Sequence, residues 1–145
     1  MEIKLIKVNK KLVYHVRILY ILLSKRKYNI SHYELPSYSD HKRFVINSPY
    51  RIWYLVKKCK EFIGSVYITN ENIISINGHK MDIDDYEIIF KSVLSNHDPL
   101  APIKSVRNGN FIINVNPSNK VLIGFMKRMG MEHIQSSFLI KSISN

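Results

Sequence analysis

Residues 110–131 limit the possible fold more than any other stretch of the chain. Residues 111–115 form a short β-branched run led by Phe111, which predicts a strand. Pro117 then ends the ladder, because proline has no amide hydrogen to donate. Ser118 or Asn119 can cap a helix by accepting from its first free N–H groups. Leu122, Phe125, Met126 and Met129 follow at spacings of three and four, which makes one apolar helix face. Gly130 suits the left-handed position that closes a helix. The stretch therefore predicts a strand, an Asn-Pro turn, a short helix and a glycine stop.

The rest of the chain must supply partners for that unit. Residues 2–8 read as a first strand. Leu12, Val16, Leu19, Tyr20 and Leu23 sit at helical spacing, which predicts a helix over 11–25 with one buried face. Residues 29–38 read as a loop containing Pro36. Ser39 or Asp40 can cap a second, short helix through Phe44 and Val45, and Ser48-Pro49 breaks it. Residues 51–57 and 61–69 are the clearest strands. The polar link Lys58-Cys59-Lys60 makes them an antiparallel hairpin, and Gly64 permits a bulge or a close backbone approach. A turn at Asn70-Glu71-Asn72 leads to a strand over 73–76 and then a helix over 81–96, with Ile83, Tyr86, Phe90 and Val93 on one face. Residues 98–110, with Pro99, Pro102 and Gly109, form a long loop, and 132–142 supply a last strand.

Composition sets the class. A chain of 145 residues is read as one domain, 1–145, able to bury a single core. Its 46% hydrophobic and 11% aromatic content is globular rather than disordered. No apolar run is long enough to span a bilayer; residues 12–23 come nearest, but His15 and Arg17 interrupt them. Residues 1–11 are charged and do not read as a secretory signal. The lone Cys59 excludes an internal disulfide and a cysteine metal cluster, and fits a reducing cytoplasm. The histidines show no paired ligand spacing, so no metal is expected. The formal charge of +11 favours polyanionic partners, yet the basic residues are dispersed along the chain. They read first as solvated surface; nucleic acid ranks last as a partner, because no recognised motif accompanies the charge.

Asn116, Asn119, Phe125 and Gly130-Met131 fall on the marks of a known C-terminal pattern: strand, Asn-x-x-Asn, aromatic short helix, glycine, strand. In this the chain resembles the GNAT superfamily, the acyl-CoA-dependent N-acetyltransferases, and the element order agrees over nearly its whole length. Asn29-Ile30-Ser31-His32, Leu35-Pro36-Ser37-Tyr38, His41, Phe44-Val45 and Pro49-Tyr50-Arg51-x-Trp53-Tyr54 resemble small GNAT proteins from bacterial surface-sugar gene neighbourhoods, as do Tyr54-Leu55 and Gly64-Ser65-Val66-Tyr67-Ile68-Thr69. The resemblance implies an α+β fold, with a mixed, mostly antiparallel sheet flanked by helices. It implies transfer of an acetyl group from acetyl-CoA to a primary amine of a small molecule, with an amino-sugar nucleotide as one candidate. Acetyl-CoA would lie between the strand bearing Ile74 and Ile76 and the strand over 111–115, held by Gly78, His79, Lys80, Asn116, Asn119 and Phe125. His32 and His41 are the candidate bases, acting through a water, and Tyr50, Arg51 and Tyr54 would meet the substrate. Each has a plainer role available: a surface histidine, a solvated arginine, an Asx-turn at Asn116.

Two departures carry physical content. The pattern Gln/Arg-x-x-Gly-x-Gly/Ala, whose N–H groups cradle a pyrophosphate, is absent from residues 77–85. Asp82, Asp84 and Asp85 stand there instead, in the first turn of the expected helix, where they satisfy its dipole and oppose an incoming anion. Met126 occupies the position where many GNAT enzymes carry a tyrosine that protonates the departing thiolate, and a thioether has no proton to give. The alternative reading is therefore a GNAT-fold protein that has lost the acetyl-CoA pyrophosphate loop and acts as a non-catalytic binding or structural protein. Such proteins often pair sheets or C-terminal strands in a homodimer.

Overall fold

The computed structural model describes residues 2–28 and 34–142. The elements run β1 (Ile3–Lys7), α1 (Val13–Ser24), α2 (Tyr38–Ile46), β2 (Ile52–Lys58), β3 (Glu61–Ile68), β4 (Ile73–Gly78), α3 (Ile83–Asn96), β5 (Ile112–Ile113) and α4 (Lys120–Arg128). One five-stranded sheet has the order β1-β2-β3-β4-β5. Its first three pairings are antiparallel and the β4–β5 pairing is parallel. The fold is α+β.

Local chemistry sets most boundaries. In the β2–β3 hairpin Lys58 faces Glu61, so Cys59 and Lys60 form the loop, and Cys59 takes a positive φ of 56°. Val56 faces Gly64 and Lys57 faces Phe62, so Ile63 is the extra residue and the bulge adjoins Gly64. Gly64 also serves the other expected purpose, a close approach. It faces Gly78 across the β3–β4 ladder, and a side chain at either position would strike the Met81 thioether. The second helix starts earlier than Ser39 or Asp40: Ser37 caps it by accepting from the Asp40 N–H.

The sheet separates two cores. Val56, Val66, Ile68, Ile74, Ile89 and Phe125 pack between the sheet and α3/α4. Val16, Leu19, Val45, Trp53 and Leu55 pack on the α1/α2 side. Each such side chain contributes roughly 1.5–3 kcal/mol by leaving water.

The loop over 98–110 is pinned by Asn72, which is fully buried and has a positive φ of 65°. Its Nδ2 donates to the Leu100 and Asn108 carbonyls, at 2.9 and 2.7 Å, and its Oδ1 accepts from the Leu100 N–H at 2.7 Å.

The last expected strand is absent. Residues 132–142 join no ladder. The strand expected over 111–115 is only Ile112–Ile113, so β5 offers a very short edge, and the chain turns away at Pro117. Phe138, Leu139 and Ile140 are left exposed. Among the described residues no helix is long and apolar enough to cross a membrane.

Candidate functional site

On the α1/α2 side of the sheet lies a cavity of about 260 Å³. Leu19, Leu22 and Leu23 of α1 form one wall, and His41 and Phe44 of α2 another. Tyr50 and Trp53 close it from the sheet, and the cross-strand pair Ser65 and Asn77 lies at its base. The aromatic rings brace one another. Tyr50 stacks on Tyr67 at 3.7 Å between centroids, and meets Trp53 edge-on at 4.8 Å and Phe44 edge-on at 5.7 Å. Burial, with the Tyr67 phenol alongside, pushes the Tyr50 phenol well above its ordinary range, so it stays neutral. Trp53 is only 9% exposed, and its indole N–H meets no acceptor among the described residues.

Three titratable groups, His41, Arg26 and Asp40, line this cavity beside the rings. The His41 Nε2–H donates to the Val16 carbonyl at 3.0 Å, which leaves Nδ1 with its lone pair in the neutral ring. Burial lowers the His41 pKa and the Arg26 charge lowers it further, against the opposing hydrogen bond to Val16, so the ring is neutral at pH 7. Arg26 follows α1 and is half-buried. Burial depresses its pKa, while the Tyr67 and Tyr50 phenols act in the opposite sense; a guanidinium remains charged regardless. Among the described residues no carboxylate pairs with it. Asp40, at the same cavity, faces Arg43 at 3.5 Å.

A second, narrower hollow of about 50 Å³ opens between β4 and the segment after β5. The strands pair only at Ile73–Ile112 and Ile74–Ile113, so the edge of β4 beyond Ile74 has no neighbour on that side. Ser75, Asn77, Asn114, Asn116 and Asn119 give the hollow a lining of amides and a hydroxyl. Asn77 donates to the Ser75 Oγ at 2.9 Å. Asn116 accepts from the Ser118 N–H at 2.9 Å, the expected Asx-turn, and Asn119 caps α4 by accepting from the Leu122 N–H at 3.2 Å. Arg26 and Asn77 line both hollows, so the cavity and the cleft meet at those two side chains.

The start of α3 is closed on itself. Asp82 accepts from the Asp85 N–H at 2.9 Å, and Asp85 accepts from the Asp82 N–H at 3.1 Å, a reciprocal capping box. The Lys58 ammonium reaches Asp85 at 2.8 Å and Asp82 at 4.0 Å. Asp84 turns outward to Arg128 of α4 at 2.8 Å.

The residues singled out in the sequence separate accordingly. His41 and Tyr50 share the cavity. His32 lies outside the described residues. Tyr54 belongs to the opposite face, where its hydroxyl and His97 Nε2 share a 2.8 Å hydrogen bond. Arg51 donates to the Asp98 carbonyl at 3.0 Å, beyond the end of α3. Neither lines the cavity: Tyr54 alternates with Trp53 along β2 and so takes the opposite face, whereas Arg51 precedes β2 and is drawn to the Asp98 carbonyl. The Ile74 and Phe125 side chains are sealed in the α3/α4 core, at 1% and 0% exposure; Phe125 packs on Tyr86 and Phe90. Ile76 is buried as well, though it borders the cleft. Gly78 is pressed against Met81 and borders the aromatic cavity. His79 turns toward Glu61, at 3.8 Å, and Lys80 takes a positive φ of 57°. Sequence reasoning missed Arg26, Trp53 and Asn77. Arg26 carried a signal, since it continues the spacing of Leu19, Leu22 and Leu23 and places a cation on the buried stripe.

No protein-family model matches the sequence, and no curated protein matches it at a significant level. Solved structures do match in shape. One is AAC(6')-Iy in complex with the bisubstrate analog CoA-S-monomethyl-acetylneamine, with a TM-score of 0.57 at 10% identity over 99% of this chain and 100% of that one. Another is an aminoglycoside acetyltransferase from an uncultured soil metagenomic sample, with a TM-score of 0.55 at 13% identity over 99% and 100% of the two chains. The chain therefore has the GNAT-like acetyltransferase fold, with β4 and β5 as the strands that diverge.

Proposed function

We propose that the chain is an N-acetyltransferase that moves an acetyl group from acetyl-CoA to the primary amine of a small molecule. One observation carries this reading: the amide-lined cleft and the aromatic cavity adjoin at Arg26 and Asn77, so two substrates can meet there. The cleft suits the amide-bearing arm of the donor, with Asn114, Asn116 and Asn119 as its polar partners. The start of α3 does not suit the pyrophosphate, because Asp82 and Asp85 already occupy two of its N–H groups.

The donor supplies an activated acyl thioester. The cavity supplies the amine and removes its protons. An ammonium entering from water loses one proton to the His41 Nδ1, directly or through a water. The neutral nitrogen then bonds to the acetyl carbon as the carbon–sulfur bond breaks. The nitrogen's second proton ends on the thiolate, and the proton on His41 returns to solvent. Met126 contributes no acid, and a thiolate leaves without one. An amino-sugar nucleotide, the acceptor implied by the sequence resemblance, is one candidate.

The second reading, a non-catalytic GNAT-fold protein, is favoured by the self-capped start of α3. Calorimetry with acetyl-CoA and thiol release across a panel of amines separate the two. Donor binding with thiol release supports the enzyme. No heat, no thermal shift and no thiol at millimolar donor would overturn it.

A further inference from the structure

Resting on that reading, we propose that the acceptor is an apolar α-amino acid, or an equivalent amine beside a carboxylate, whose side chain fills the aromatic cavity while Arg26 holds the carboxylate. The cavity, at about 260 Å³, lies below the range of roughly 300–1,000 Å³ usual for drug-sized ligands, which points to a ligand of amino-acid size. Leucines and aromatic rings make most of its wall, with the polar groups at its base and mouth, so the part that lies against Leu19, Leu22 and Leu23 is apolar; hydroxyls set there would lose their water without replacement.

The polar equipment is specific. Arg26 is a half-buried guanidinium with no carboxylate partner among the described residues. Its fork matches a carboxylate in a way that an ammonium does not. Arg26 stands where the cavity joins the cleft. A carboxylate held there sets a vicinal amine beside the cleft, while the side chain points into the cavity. A polyamine fits poorly. Its several ammonium groups would meet Arg26, and Asp40 already faces Arg43. The chain as a whole carries +11. The acceptor inferred here thus differs from the aminoglycoside named for one of the structural neighbours.

Trp53 is the sole tryptophan, so its fluorescence reports occupancy of the cavity without any acetyl transfer. The native chain is titrated with phenylalanine, 3-phenylpropionate, 2-phenylethylamine, glucosamine and neamine. Phenylalanine and 3-phenylpropionate should change the emission saturably. Phenylethylamine, lacking the carboxylate, should bind about tenfold or more weakly, the loss expected for one charge-assisted pair. Arg26→Gln should bring phenylalanine down to the level of phenylethylamine and should not weaken phenylethylamine, and Arg26→Lys should fall between. Phenylethylamine, glucosamine or neamine binding more tightly than phenylalanine overturns the inference, as does an Arg26→Gln variant with native affinity. If that variant does not fold, the comparison of ligands on the native chain decides alone. Phenylalanine binding without thiol release from acetyl-CoA would leave the site correct and the transferase reading wrong. Thiol release with other amines, and no phenylalanine binding, would do the reverse.

Discussion

Removing the nucleotide half of the donor tests the closed start of α3. Acetyl-CoA is compared with S-acetylpantetheine, which keeps the thioester and the amide-bearing arm but lacks the diphosphate. An open helix start would hold a diphosphate through its N–H groups. Here the Asp82 and Asp85 N–H groups donate to each other's carboxylates, at 3.1 and 2.9 Å. A hydrogen bond to a charged acceptor is worth about 1.5–3 kcal/mol, so two occupied donors withhold roughly 3–6 kcal/mol from a bound diphosphate. Charge adds to this only weakly. A carboxylate some 7 Å from a phosphate opposes it by roughly 2 kcal/mol at an effective dielectric near 20, before screening. Lys58 and Arg128 offset part of the three aspartates.

The two donors should therefore bind within about tenfold of each other, a difference of about 1.4 kcal/mol. Calorimetry should be run at low ionic strength and again near 0.15 M salt, where a Debye length of about 8 Å screens the dispersed positive surface. Low salt should favour acetyl-CoA through that surface alone, and the preference should shrink at the higher salt. A hundredfold preference for acetyl-CoA that persists at 0.15 M salt refutes the reasoning. The diphosphate would then have found donors other than the closed helix start.

Three further outcomes are expected. Asn72→Ala leaves the Leu100 N–H and the Leu100 and Asn108 carbonyls without their partner, and should lower stability by about 3 kcal/mol in urea unfolding; a loss under 1 kcal/mol would show that the loop does not depend on it. The Asp85 carboxylate raises the Lys58 pKa above its ordinary 10.5, so this contribution is intact below pH 10.5 and is lost as pH rises through the folded value. Lys58→Met should remove that alkaline loss, and an unchanged stability profile above pH 10 would count against the pair. Phe138 and Ile140, 89% and 90% exposed on a segment without a ladder, should mediate pairing with a second copy. Light scattering should find a dimer that Phe138→Glu with Ile140→Glu dissociates; a native monomer excludes it.

The fold was legible where local chemistry and periodicity agree. The hairpin link at Cys59, the Asn119 cap and the positive φ of Gly130 all follow from residue types whose conformational demands are local. The last strand failed because an apolar run such as Phe138-Leu139-Ile140 needs an edge to pair with, and sequence cannot measure how short β5 is. Within the site, His41 and Tyr50 came out together while Tyr54 did not. A loop or helix residue reaches a cavity by tertiary packing, whereas strand neighbours separate by the pleat. Arg26 was overlooked because a cation at a helix end has a ready role at the dipole or in solvent. The placement of α1 against β3 keeps it on the inward face that its spacing with Leu19, Leu22 and Leu23 had marked.

In the sequence the three aspartates at the start of α3 read both as groups that satisfy the helix's own dipole and N–H groups and as charge that opposes an incoming anion. In the fold each is already committed: Asp82 and Asp85 to one another's N–H groups, Asp85 also to Lys58, and Asp84 to Arg128. On the proposed reading, the two occupied N–H groups weigh against a diphosphate at least as much as the charge does. The same commitments bind α3 to β2 and to α4, so the helix start is part of what holds the layers together. Met81 adds to this closure, since its thioether lies against both Gly64 and Gly78, next to the residues where a glycine-rich loop would have to open. On the proposed reading, a donor would be recognised mainly through its arm and acyl group, at the asparagines of the cleft and at the Arg26–Asn77 junction.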